Sequence, residues 1–146
     1  MRESDSDTAY RSKLNLYSQA WGLEPIPDSM ETRAAFKERR FHLPIVEVLR
    51  EPDRRKPSKA SSRIELVSNS AGWSYCFSAQ TRYAGWGYGP IVTFCTPHPT
   101  REVALRECVA KLREWVGKME DPEGKRLLSW LNSVDPDLVT SQMNLC

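Results

Sequence analysis

Two histidines and four cysteines are the residues of this chain whose types could carry nucleophilic or metal chemistry. His98 stands between Pro97 and Pro99, and His42 stands two residues before Pro44. Neither has a neighbouring nucleophile or carboxylate in a recognisable catalytic arrangement. Cys76, Cys95, Cys108 and Cys146 form no Cys-x-x-Cys pair, and neither histidine lies at zinc-finger spacing from them. No metal site and no cofactor is therefore expected, and the cysteines read as small buried hydrophobes of a reduced, cytoplasmic chain. Glu102, Glu107 and Glu114 interleave with Arg106, Lys111 and Arg113. Pairs at i, i+4, Glu102 with Arg106 and Glu107 with Lys111, account for them without a metal. An enzyme acting through His98 or Cys95 is the last of three expectations, and the first two are forms of binding.

The first binding signal is Gly85-Trp86-Gly87-Tyr88-Gly89. A phosphate-cradling glycine loop must open a helix, whereas this stretch runs on into Pro90-Ile91-Val92 with no Gly-Lys-Ser/Thr behind it. It reads instead as the tip of a long hairpin, with Arg82, Tyr83, Trp86 and Tyr88 around it, either packed back on the core or displayed for a partner. Trp, Tyr and Arg dominate interface hot spots, so these four residues form the expected partner-binding site, the partner being a macromolecule and foremost a protein. The second signal is charge. Residues 33 to 59 hold nine basic residues against four acidic ones, a net +5, which leaves −3 for the rest of a chain whose total is +2. Arg33, Lys37, Arg40, Arg54, Arg55 and Lys56 are the phosphate contacts of the alternative expectation, a DNA- or RNA-binding protein.

Periodicity supplies the elements that would position these residues. Tyr10, Leu14, Tyr17 and Trp21 recur at helical spacing, with Gly22 available to end the helix, and Asp28-x-x-Glu31 resembles a capping box for a second helix to about Arg40. On that second helix Met30, Ala34 and Phe41 form the expected buried stripe. Leu43 to Leu49 reads as a short strand. Trp73, Tyr75, Phe77 and Ala79 alternate with Ser74, Cys76, Ser78 and Gln80, the period of a half-buried strand. Its expected partner is Pro90 to Thr96, with Phe77 opposite Phe94, Ala79 opposite Val92 and Cys76 opposite Cys95. The face holding Trp73, Tyr75, Phe77 and Phe94 could stack RNA bases, but the amphipathic helix that Thr100 opens, with Leu105, Cys108, Val109, Leu112, Trp115 and Val116 on one side, is its natural cover. Arg63 to Ser68 supplies a third strand, Asp121-Pro122 opens a helix with Leu127, Leu128, Leu131 and Val134 inward, and Asp135-Pro136 opens a short terminal turn.

The expected fold class is thus α+β: a small three-stranded antiparallel sheet, β-β-β-α-α, covered by C-terminal helices and preceded by an N-terminal helical section. The organisation follows as a helical, basic section 1–49, a flexible basic linker 50–62 and an α+β domain 63–146, since 50–62 has two prolines and nothing large to bury. With 40% hydrophobic residues in 146, one packed domain with appendages fits better than two. No secretory signal is expected within this chain, and no apolar run approaches the roughly 20 residues a membrane helix needs. From Trp73 to Val116 the layout of aromatic strand, hairpin and Thr100-Arg101-Glu102-Val103-Ala104-Leu105 resembles HicB-type antitoxin domains, and its strand order is similar to that of double-stranded RNA-binding domains. The glycine-aromatic stretch is longer than the antitoxin hairpin, and no basic cluster begins the Thr100 helix as the RNA-binding fold would have it. Small chains of this build without chemistry of their own are often regulators or inhibitors, including those of phages and plasmids, and layout alone implies fold and not activity.

Overall fold

Antiparallel pairing carries the fold in this computed structural model, which describes residues 5–25, 27, 29–38, 40–52, 62–81, 84–91, 95–119 and 123–138. Helices α1 (Asp5–Ala20) and α2 (Ser29–Lys37) precede strands β1 (Ile45–Arg50), β2 (Arg63–Asn69), β3 (Gly72–Gln80) and β4 (Gly85–Tyr88). Helices α3 (Arg101–Gly117) and α4 (Glu123–Val134) follow. The class is α+β, with a single sheet in the order β1-β2-β3-β4, every neighbouring pair antiparallel. The sheet has four strands where three were expected: β2 and β3 are as expected, β4 stands in the place expected of Pro90 to Thr96, and β1 is additional, its sequence legible as a strand but not as a neighbour of β2. Its far end is closed by Glu51 N donating to Ser62 O at 2.8 Å, so the stretch 50–62 joins two strands of one hairpin.

Period-two alternation sorts β3 onto two faces, and both are covered. Tyr75, Phe77 and Ala79 point to the front, where they join Ile64 and Leu66 beneath Ala104, Leu105, Cys108, Val109, Leu112 and Val116 of α3 and Leu127, Trp130 and Leu131 of α4. Tyr75 and Phe77 are buried, so this aromatic face is core and not an open stacking platform; Phe94 lies outside the described residues. Thr100 caps α3 as its type and position imply, its hydroxyl accepting from Val103 N at 3.2 Å. On the reverse face Val67, Cys76 and Cys95 meet Leu14 and Trp21 of the α1 region, Ala35 of α2, and Phe41 and Leu43. The strand expected to be half-buried is therefore buried on both sides along its middle. The N-terminal helices are the second cover, pinned by Trp21 Nε1 donating to Cys95 O at 2.8 Å and Asn69 Nδ2 donating to Trp21 O at 2.9 Å. Gly22, at φ 68°, ends α1 in the left-handed conformation its position predicted.

Three local expectations shift. Ala34 is exposed, and Ala35 with Thr32 takes the inward side of α2; Met30 falls among side chains that are not described. Arg106 holds Asp137 rather than Glu102, in a two-pronged contact at 2.9 to 3.1 Å, and Arg113 holds Asp135 at 2.6 Å. These pairs close α3 onto the chain after α4, a tertiary use of charges that the sequence suggested were paired within the helix. The third shift is register. Phe77 stands opposite Tyr88 and Ala79 opposite Trp86, not opposite Phe94 and Val92. The chain beyond Tyr88 leaves β3 because it has another partner: Leu43 N donates to Pro90 O at 2.7 Å and Ile91 bridges to His42. It returns to β3 at a Trp73–His98 bridge, which keeps the offset the sequence implied.

Candidate binding surface

A strand with glycine at every second position has bulk on one face only, and β4 is such a strand. Gly85–Tyr88 lies in the sheet and the turn is made at Thr81 and Ala84, where Thr81 N donates to Ala84 O at 2.8 Å. The glycine-aromatic stretch is therefore not the hairpin tip. Trp86 lies edge-on to Phe77 with ring centroids 4.7 Å apart and reaches Trp115 at 5.8 Å. Tyr88 meets Phe77 at 4.9 Å and Tyr75 at 6.4 Å, and the ammonium of Lys111 lies 5.3 Å from the Tyr75 ring and 5.9 Å from the Tyr88 ring. Both β4 aromatics are half-buried against the front core. Two of the four residues expected to meet a partner thus carry part of the core; the other two, Arg82 and Tyr83, lie outside the described residues.

The reverse side of the same strands is different. One row runs in register across the sheet: Arg50 opposite Arg63, Arg63 opposite Ser78, Ser78 opposite Gly87. Two arginines directly opposite repel. Arg63 is relieved by Glu65, whose Oε1 lies 2.5 Å from its Nε, whereas Arg50 is exposed and makes no ion pair among the described residues. Beside this row lies an open groove of about 620 Å³ lined by Arg63, Glu65, Ser78, Gln80 and the glycines 85, 87 and 89, with Pro90 at one end. At Gly87 a Cβ would collide with Phe77 O, a backbone atom that cannot move aside, so glycine there is a requirement of close strand approach. The Ser78 hydroxyl and Gln80 side-chain amide form no hydrogen bond among the described residues.

The charged stretch 33–59 contributes Arg50 to this row. Two of its four acidic members are bound from outside the stretch: Glu47 takes a two-pronged bond from Arg101 at 2.7 Å, and the buried Glu51 pairs with Arg126 at 2.5 Å. The Arg101 guanidinium holds the Glu47 carboxyl below its ordinary range. Arg33 and Lys37 are exposed without an ion pair among the described residues, while Arg40 holds Glu38 at 2.9 Å. Arg54, Arg55 and Lys56 lie outside the described residues, in the connection whose two ends, Arg50 and Arg63, begin the row.

The residues of the catalytic expectation are parted by the sheet, His98 beside Tyr75 of the front face and Cys95 in the reverse cluster. His98 stacks on Tyr75 at 6.3 Å, and its Nε2 lies 2.6 Å from Glu107 Oε2 without the alignment of a hydrogen bond. Cys95 Sγ donates to Tyr75 O at 3.5 Å, and burial pushes its thiol up to about 12, as it does that of Cys76. Such a thiol is protonated at neutral pH and is a weak nucleophile. No group of three or more metal-ligating side chains occurs among the described residues.

Sequence reasoning missed Arg63, Ser78 and Gln80 as members of a surface, although a signal was present. Arg63-x-Glu65, Ser78-x-Gln80 and Gly85-x-Gly87-x-Gly89 share the period of a strand, and only their pairing brings them together. Comparisons with family models, characterised proteins and solved structures find no match. The likeness to antitoxin and RNA-binding folds rests on element order alone. No helix among the described residues is long and apolar enough to cross a membrane.

Proposed function

We propose that this chain is a non-catalytic nucleic-acid-binding protein whose contact surface is the reverse face of the sheet around Arg50 and Arg63. The observation that carries this reading is the cross-strand arginine row, in which Arg50 has no carboxylate partner among the described residues and Arg63, opposite it, lines an open polar groove. Adjacent like charges are costly without a counterion, and a phosphate supplies one with geometry suited to guanidinium. The reading gains from the capture of Glu47 and Glu51 by Arg101 and Arg126, which leaves the basic members of 33–59 with less local compensation. Binding of fluorescent DNA and RNA across a salt series tests it. The expected result is a steep linear fall of log affinity with log salt, and Arg50→Gln is expected to reduce that slope by about 0.7 to 0.9, the share of one phosphate contact. No retention at low salt, or an unchanged slope in the variant, would overturn it.

Recognition of a protein partner retains one specific observation. Ile45, Val46 and Val48 of the edge strand β1 are 44%, 52% and 40% exposed, and no strand among the described residues pairs with its outer side. An open apolar edge of this kind invites strand addition. On this reading Val48→Lys abolishes complex formation with a partner while leaving the melting temperature unchanged.

A further inference from the structure

A groove that holds both a carboxylate and guanidinium groups does not match a continuous ridge of phosphates. Glu65 lies inside it, beside Arg63, and would repel any phosphate placed over the groove floor. The cationic member without a partner, Arg50, lies at the outer end of the row. The floor is backbone at Gly87, and at Gly89 an added Cβ would meet nothing within 4 Å. The Gln80 amide reaches over the floor, its Oε1 2.9 Å from the position of a Gly85 Cβ. Its hydrogen-bonding groups and the Ser78 hydroxyl are unused among the described residues. A flat ring fits a side-chain-free floor, and a ring whose edge both donates and accepts fits Gln80, Ser78 and Glu65 together. The volume, about 620 Å³, lies within the roughly 300–1,000 Å³ of sites that enclose a small organic group.

Resting on the nucleic-acid reading above, we infer that this groove receives an unpaired base, so that the ligand is single-stranded nucleic acid and the favoured bases carry an exocyclic amino group. The phosphate lies at Arg50, the base over Gly87 and Gly89 beside the Gln80 amide, and the amino group donates to Glu65 while Gln80 and Ser78 complete the ring edge. Carboxylates accept from the amino group of cytosine and side-chain amides pair with adenine, whereas thymine and uracil present a carbonyl that Glu65 would repel. A duplex keeps its base edges inside its grooves and would leave the Gln80 amide and the Ser78 hydroxyl without partners.

The test measures anisotropy of labelled homopolymers of deoxycytidine, deoxyadenosine and thymidine, and of a duplex of equal length, on the full chain. Cytosine and adenine strands are expected to bind about tenfold or more tightly than thymine strands and duplex, a difference of one good base contact. Gly89→Phe fills the groove from a position where the side chain meets open space, and is expected to remove this preference while keeping the melting temperature and the salt slope. Gln80→Ala, which leaves the core untouched, is the companion should Gly89→Phe not fold. Equal affinity for all strands and the duplex, or an unchanged preference in the groove variants, overturns the inference while leaving the nucleic-acid reading standing. Absence of binding to every probe defeats that reading itself. Tighter capture of an acidic polypeptide than of any oligonucleotide overturns both.

Discussion

Truncating Trp21 to alanine is expected to cost about 3–5 kcal/mol, the range of large-to-small changes at buried tryptophan. The indole is 1% exposed, and it seals Leu14, Ala35, Phe41 and Leu43 against Val67, Cys76 and Cys95 on the reverse of the sheet. Its loss removes that packing and also the donor to Cys95 O, leaving a buried carbonyl without its partner. The second consequence concerns cooperativity. Because the N-terminal helices cover one face of a sheet whose other face is covered by α3 and α4, tryptophan fluorescence and far-ultraviolet dichroism are expected to report one coincident unfolding transition in denaturant, in the wild type and in the variant. A loss below about 1 kcal/mol, or a separate early transition for residues 1–49, would show that this section folds by itself.

Trp86→Ala is expected to destabilise the fold by about 2–3 kcal/mol, less than a fully buried tryptophan because the ring is half exposed. The ring contacts Phe77 edge-on and reaches Trp115, so the change withdraws a side chain from both β3 and α3 and strips the short β4 of its main anchor. Display at a hairpin tip would have predicted an unaltered fold. Chemical denaturation settles the difference: a midpoint within error of wild type would return Trp86 to the role of a display residue. The contrast with Gly89→Phe is instructive. The two positions are three residues apart, yet one fills the core and the other opens on the groove, because Trp86 faces front and the glycines line the reverse.

Much of the architecture was legible because its causes are local. Thr100 is both an acceptor at a helix start and the residue before an apolar stripe, and it caps α3. Gly22 stands where α1 must end, and it takes the left-handed conformation there. The alternation from Trp73 to Gln80 predicts a strand, and Gly72–Gln80 is one. Illegible were the placement of β1, whose six residues carry no mark of the neighbour they pair with, and the destination of Trp86, whose packing depends on Trp115 from a helix far along the chain. Arg106 shows the same limit for charge. Helical spacing offers it Glu102, but Asp137 arrives from α4's end with better geometry.

Side-chain periods and cap signals depend on residues within one or two turns of each other, so the chain by itself marked the strands β2 and β3 and the helix α3 with their apolar faces, but not the strand Gly85–Tyr88 or the inward side of α2. Register is decided elsewhere. Placing Phe77 opposite Phe94 or opposite Tyr88 differs by an even number of residues, and an even shift keeps every apolar group on the same face, so alternation cannot choose between them. The tertiary structure chooses, because His42 and Leu43 pair with Ile91 and Pro90 and draw that stretch away from β3. That one competition lays Gly85–Tyr88 along β3, sends its two aromatics into the core, and sets its glycines beside Arg63, Ser78 and Gln80 as the floor of a groove.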